Sequence, residues 1–170
     1  QAGACDPSVG ATKCPAGRFS YGQAKDSNCT GPCAPGHFCK EGSSDLYQYR
    51  CADNPALAAN VPRVLISNPR SVFCPEGSTT PETCKAGFFT EGVTAETADR
   101  ERECPENSFC KDGERKLCPK GKFGNQKGNS VPTCSGDCLA GFYCPEGSRV
   151  NNKETCAPIG DQNPHKYYCP

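Results

Sequence analysis

The sequence predicts a small disulfide-rich fold, an elongated tandem array of cysteine-rich repeats with short two-stranded β ribbons and little helix. Three observations carry this reading. The 170 residues include 16 Cys, about 9 per cent, the range in which disulfides replace a core that a small unit cannot build. Only 22 residues are Leu, Ile, Val or Phe, about 13 per cent, below the roughly 20 per cent at which an ordinary core is in doubt. The same low apolar content would suit a disordered chain, but such chains carry high net charge, and here 19 basic residues balance 19 acidic ones. The third observation is an internal repeat.

An aromatic, a Cys and a short polar Gly segment recur as F-C-K-E-G-S at Cys39, F-C-P-E-G-S at Cys74, F-C-K-D-G-E at Cys110 and Y-C-P-E-G-S at Cys144, spaced 35, 36 and 34 residues apart. A second motif follows, as C-P-A-G-R-F at Cys14, C-K-A-G-F-F at Cys84 and C-P-K-G-K-F at Cys118, with degenerate copies at Cys51 and Cys156. The chain divides on this basis into repeats 1–38, 39–73, 74–109, 110–143 and 144–170, the second divergent and carrying an aliphatic insert, the last truncated in pattern. The first and fourth repeats share C-x14/15-C-x3-C-x5-C-x11-C, from Cys14 to Cys51 and from Cys118 to Cys156. The third keeps only C-x5-C (Cys104, Cys110), and the second has lost both inner cysteines.

Each part of the motif has a physical use. Gly permits a positive φ at a turn, the aromatic lies over a disulfide in place of a core, and Pro after Cys lowers the entropy of the unfolded loop. Turn residues interrupt nearly every run, which predicts short ribbons rather than broad sheets. The plausible helical stretches are Thr94 to Glu103 and Asn54 to Asn60, neither with a full amphipathic stripe.

The C-P-x-G-x-[FY] opening followed by C-x-x-G-x-[FY]-C-P-x-G-S resembles the cysteine-rich repeats called ephrin-receptor-like or tumour-necrosis-factor-receptor-like. These occur in receptor ectodomains and, as long arrays, in surface and filament proteins of protists, algae and oomycetes. The spelling C-L-A-G-F-Y-C-P-E-G-S at 138 to 148 is most similar to the protist and algal arrays. The resemblance implies that all sixteen cysteines bridge, namely Cys5, Cys14, Cys29, Cys33, Cys39, Cys51, Cys74, Cys84, Cys104, Cys110, Cys118, Cys134, Cys138, Cys144, Cys156 and Cys169. By the same analogy Cys14 pairs with Cys29, Cys33 with Cys51, Cys39 with Cys74, Cys84 with Cys104, Cys118 with Cys134, Cys138 with Cys156 and Cys144 with Cys169. That scheme strands Cys5 and Cys110, so either the third repeat pairs differently or these two bond to another chain or to a missing segment. Spacing alone does not choose among pairings.

Such cysteine usage places the chain in a secreted, extracellular setting, since a reducing cytosol would not keep the bridges. No run of 18 or more apolar residues exists, so no membrane-spanning helix is predicted. Gln1 reads as the end left by a removed signal peptide or the start of a fragment, and Pro170, directly after Cys169, as an interrupted motif. Asn28-Cys29-Thr30 is the only N-x-[ST] sequon and makes Asn28 the glycosylation candidate of a glycoprotein.

Nothing points to catalysis. The two histidines, His37 and His165, are far apart in the chain, and there is no phosphate-binding Gly loop or Ser elbow. The expectation is a protein that is not an enzyme and holds no cofactor or metal. Cys29, Cys33, His37 and Cys39 would offer soft ligands to zinc, but Phe142 stands where His37 does in the fourth repeat. The basic stretch Lys111 to Lys127, net +4, reads as a solvated surface, with an anionic polysaccharide as its alternative partner and nucleic acid excluded by compartment.

The aliphatic insert holds Val61, Val64, Leu65 and Ile66. It serves either as an assembly contact with another copy or as a loop folded over Tyr47, Tyr49 or Phe73 of its own repeat. Two functions follow. The first is a structural subunit of an extracellular filament, hair or coat, a head-to-tail homopolymer. The second is a ligand-binding receptor-like ectodomain or secreted decoy.

Overall fold

The unit that builds the fold is Cys-x-x-Gly. In the computed structural model, which describes residues 13–21, 29–53 and 66–156, the C=O of the residue after each such Cys accepts from the N–H that follows the Gly. The pairs are Pro15 with Arg18, Ala34 with His37, Lys85 with Phe88, Pro119 with Lys122 and Leu139 with Phe142, at 3.0 to 3.2 Å. The Gly is third in that turn, at φ 78 to 85° in all five, the left-handed region that a type II turn requires and that a Cβ resists. Asn107 takes the same place after Cys104, at φ 65°, which Asn tolerates better than most residues.

Each of these six turns opens a two-stranded ribbon, and one more ribbon follows the 3-10 turn Pro69–Ser71. In chain order these are Arg18–Phe19 (β1) with Gly31–Pro32 (β2), His37–Phe38 (β3) with Tyr49–Arg50 (β4), and Val72–Phe73 (β5) with Glu82–Thr83 (β6). They continue as Phe88–Gly92 (β7) with Ala98–Glu103 (β8), Ser108–Lys111 (β9) with Glu114–Leu117 (β10), Lys122–Phe123 (β11) with Gly136–Asp137 (β12), and Phe142–Tyr143 (β13) with Glu154–Thr155 (β14). The expected small disulfide-rich β-ribbon array is therefore what forms, seven ribbons among the described residues, none merged into a wider sheet. The Cys that ends a ribbon donates its N–H to the C=O of the Gly that began it: Cys33 to Gly17, Cys51 to Gly36, Cys104 to Gly87, Cys138 to Gly121 and Cys156 to Gly141, with Cys118 bonding Asn107 likewise, at 2.8 to 3.2 Å. One sequence period of about 35 residues thus spans two ribbons, and its aromatic-Cys pairs fall at the ends of β3, β5 and β13 and inside β9.

Two compact units result, Gln1–Glu82 with Gly92–Arg100 and Thr83–Glu91 with Glu101–Pro170. In the first, aromatic rings over disulfides stand in for a core. Phe19 packs with the buried Cys33 and Cys39, while Phe38 and Tyr49 stack at 5.3 Å beside Cys51 and Cys74. Val72 and Leu46 add the flanking apolar contacts.

Two of the expected bridges form, Cys14–Cys29 and Cys118–Cys134. The others are Cys33–Cys39, Cys51–Cys74, Cys104–Cys110 and Cys138–Cys144. They replace Cys33–Cys51, Cys39–Cys74, Cys84–Cys104, Cys138–Cys156 and Cys144–Cys169. The cause is the turn. It folds C-x5-C back on itself, bringing Cα atoms six residues apart to 5.6 to 6.1 Å, within reach of a bridge, before a longer loop need close. Cys110 is consequently not stranded, and Cys156 is also bridged. Cys84 is a free thiol, contrary to the expectation that every cysteine bridges. Cys29 and Cys134 each lie four residues before the next ribbon's Cys, and in the fourth ribbon that position is Arg100. Cys5 and Cys169 lie outside the described residues.

The stretch from Thr94 to Glu103 is not helical beyond one 3-10 turn, Ala95–Thr97, closed by a reciprocal cap between Thr94 and Thr97. Ala98, 1% exposed, then enters β8, and its C=O accepts from Cys74 N–H at 2.9 Å. Tertiary pairing overrides a weak local helical preference. Asn54 to Asn60 lies outside the described residues.

The turn geometry separates two otherwise similar substitutions. A Cβ on Gly36 would lie 2.4 Å from Thr97 O, whereas one on Gly121 would meet nothing within 4 Å. Gly121→Ala should cost only the left-handed backbone penalty, about 1–2 kcal/mol. Gly36→Ala should add overpacking, about 1–3 kcal/mol more. Denaturant unfolding of the oxidised protein should show that order, and equal losses would refute the close approach.

Candidate interaction surface

The aromatic-Cys-x-x-Gly-Ser motif folds into the same turn as the first, with an added lock. Ser43, Ser78 and Ser148 donate their N–H to the C=O of Lys40, Pro75 and Pro145 at 3.2 Å. Their hydroxyls donate to the same oxygens at 2.6 to 2.8 Å. Ser is short enough to reach back three residues, which explains why it follows the Gly.

Turns of the two kinds interlock through their backbones. Gly17 N–H donates to Cys39 O at 2.9 Å and Gly42 N–H to Cys14 O at 2.8 Å. The exchange repeats between Gly36 and Cys74 (2.8 Å) with Gly77 and Cys33 (2.9 Å), and between Gly121 and Cys144 (2.9 Å) with Gly147 and Cys118 (2.8 Å). Gly87 N–H reaches Cys110 O at 3.2 Å. The fifth ribbon meets the sixth by a variant: Asn107 N–H to Gly124 O at 2.7 Å, Gly128 N–H to Cys104 O at 2.8 Å and Cys110 N–H to Asn129 O at 2.8 Å. In each case the loop of one ribbon covers the opening turn of the ribbon before it. The turn from Cys138 to Gly141 has no such partner among the described residues, and the stretch of chain that follows its ribbon, 157–170, lies outside them. Exposure of the Gly does not track this cover: Gly36 is buried, while Gly121 is exposed although its N–H bonds Cys144 O. Sequence reading missed Asn107 as a turn residue; its signal was an Asn in the Gly place of Cys-x-x-Gly, before Ser-Phe.

Around this frame the charged residues pair. Arg50 holds the buried Asp53 at 3.1 Å and also bonds Glu96. In the basic stretch Lys122 pairs with Asp137, Lys116 with Glu114 at 3.2 Å, and Arg115 donates to Ser108 at 3.1 Å. His37 faces Pro35 O at 3.2 Å and packs edge-on to Tyr47 at 5.1 Å. The sulfurs of Cys29, Cys33 and Cys39 are consumed in disulfides. Among the described residues no group of three or more His, Cys, Asp and Glu is placed to hold a metal. Ile66 donates its N–H to Ala52 O at 2.9 Å, so that end of the aliphatic insert is tied to its own chain. Val61, Val64, Leu65 and Asn28 lie outside the described residues. No helix among the described residues is long and apolar enough to cross a membrane.

The free thiol sits in a different setting from a reactive one. Burial pushes Cys84 up from 9.0 to about 11, and the Glu101 carboxylate, hydrogen-bonded to it, adds to the rise. Burial opposes ionisation of Glu101 too, yet Lys85 outweighs it through its ammonium at 2.8 Å and its backbone N–H at 3.1 Å, holding the carboxyl below its ordinary range. The arrangement keeps the sulfur protonated. It offers no activated nucleophile, which needs a lowered thiol pKa.

No family model matches the chain, and no curated protein matches it.

At pH 8 the thiolate fraction of Cys84 should be roughly a hundredfold below that of a thiol of pKa 9.0. Alkylation by iodoacetamide should be slow there, rise towards pH 11, and quicken in Glu101→Gln. The sign for folding follows. The folded chain keeps a proton that the unfolded chain releases, so stability present below pH 9 declines as pH rises from 9.0 towards about 11. Rapid alkylation at pH 8 in the native protein would contradict the setting described.

Proposed function

We propose that the chain is a structural subunit of an extracellular filament, hair or surface coat that assembles with copies of itself. Its six bridges among the described residues are those of a disulfide-stabilised, extracellular-type protein. The observation that carries the finer reading is the interlock of turns. Five ribbons have their opening turn covered by the loop of the next through backbone groups, so the contact is of the head-to-tail kind, which between copies does not close on itself. The reading is not enzymatic, and the protonated Cys84 supports that side of it.

A receptor-like ectodomain is the second reading. Two exposed aromatics favour it, Tyr21 at 61% and Tyr47 at 58%, since rigid aromatics anchor protein ligands.

Negative-stain microscopy and size-exclusion chromatography of the non-reduced protein should distinguish them. Fibres, or species that grow with concentration, are the expected result. A monodisperse monomer at every concentration would exclude self-assembly and direct attention to a protein ligand on Tyr47.

A further inference from the structure

We infer that Thr80, in the loop between β5 and β6 of the third ribbon, is an acceptor for an O-linked sugar, a hexose or an N-acetylhexosamine delivered from an activated sugar phosphate. The inference draws on the extracellular-type character of the chain and not on its assembly.

Most hydroxyls near the turns are already committed. Those of Ser43, Ser78 and Ser148 donate to the carbonyl three residues back, and those of Thr94 and Thr97 bond each other. The stretch Thr79-Thr80-Pro81-Glu82-Thr83 differs. Its three threonines are exposed, and none of their hydroxyls has a hydrogen bond among the described residues. A sugar on such a hydroxyl takes no bond away from the fold. Threonines beside a proline also have the composition of O-glycosylated segments.

The backbone selects Thr80 among the three. Thr79 leans on the first ribbon, for a Cβ on Gly17 would lie 3.2 Å from Thr79 Cγ2. Thr83 belongs to β6, which is paired with β5. Thr80 stands between them, before Pro81, which confines it to the extended region and has no N–H to enter a ladder. The loop is pinned at both ends. On one side Ser78 N–H donates to Pro75 O at 3.2 Å and Cys39 N–H to Ser78 O at 3.1 Å; on the other lies β6. Between these ends no backbone hydrogen bond among the described residues holds Thr79, Thr80 or Pro81. A transferase can seat Thr80 in its groove without opening the ribbon.

Thr133 is the contrast within the same chain. It too is exposed beside a proline, Pro132. Its backbone, however, is closed in a turn by Cys134 N–H to Val131 O at 3.0 Å, and Ser135 N–H bonds Phe123 O at 2.9 Å. Cys134 is also bridged to Cys118. A segment fixed in this way does not enter a groove, so Thr133 stays bare.

In the transfer, Thr80 Oγ1 attacks the anomeric carbon of the donor sugar. The new bond forms as the bond from that carbon to the phosphate oxygen breaks. The phosphate carrier leaves with the electron pair, the hydroxyl proton passes to a base of the transferase, and nothing is oxidised or reduced.

The test maps the protein isolated from its own source, and variants expressed there, by proteolysis and electron-transfer fragmentation in a mass spectrometer. Wild type should carry the mass of a hexose or an N-acetylhexosamine on Thr80, with Thr133 unmodified. Thr80→Val, which keeps the shape without the hydroxyl, should lose that mass, and Thr80→Ser should retain it. A bare Thr80 in a protein whose disulfides are intact would overturn the site and leave the extracellular reading standing. Sugar that persists on the same peptide in Thr80→Val, or that occupies Thr133 equally, would overturn the assignment to Thr80. A bare Thr80 together with Cys14, Cys29, Cys118 and Cys134 recovered as thiols would overturn both the site and the extracellular reading.

Discussion

The architecture depends on the absence of a Cβ where one turn meets another. Gly17, Gly36 and Gly87 each sit at positive φ, and a Cβ there would lie 2.4 Å from a backbone oxygen, that of Gly77, Thr97 or Gly128. Backbones that close can trade hydrogen bonds turn to turn, as Gly17 and Gly42 do with Cys39 and Cys14. The exchange binds successive ribbons without side chains. A chain with so few large apolar residues has little else to join them with, because area burial scales with apolar surface.

Disulfides and aromatics then hold each ribbon to its own turn. A bridge across six residues contributes about 2 kcal/mol in the loop-entropy model, against about 3 for the fifteen-residue loop of Cys14–Cys29. Phe38 and Tyr49 stack over Cys51–Cys74 and exclude water from it. Exposed ribbon edges are open to unwanted strand pairing. Here β8 carries Arg100, Glu101, Arg102 and Glu103, and Arg102 pairs with Glu91 at 2.7 Å, so that edge is charged rather than sticky. Strand addition at β8 is disfavoured, and within the chain it is the turns through which ribbons meet.

Much of this was legible in the sequence, and unevenly so. Composition announced the fold class, because 16 cysteines with balanced charge fit few other states of a chain. The Gly of Cys-x-x-Gly announced its turn, since φ is a local property. Pairing was not local. Cys33 has Cys39 and Cys51 both within reach along the chain, and the turn at Gly36, not the spacing, selects Cys39. The free Cys84 became visible only once Arg100 was seen to occupy the place of Cys29 and Cys134. Thr94 to Glu103 misled because its residues favour a helix while Ala98 O is claimed by Cys74 N–H. The interlock itself was hidden, for backbone hydrogen bonds leave no residue signature beyond the Gly that allows them.

An interlock built from backbone groups has a consequence for assembly. Its specificity lies in shape, since backbone groups rather than particular side chains make the exchange. Its strength, by contrast, is modest. Two or three backbone hydrogen bonds contribute about 1 kcal/mol each, and burial of a side chain such as Phe38 about 2 kcal/mol, against an association cost of about 4 kcal/mol or more for separate copies. Within the chain that cost is absent because neighbours are already tethered, and the same contacts suffice to order ribbon upon ribbon. Were copies to join as proposed above, contacts of this size would suffice only where subunits are crowded, and concentration rather than a tight interface would decide when the chain polymerises.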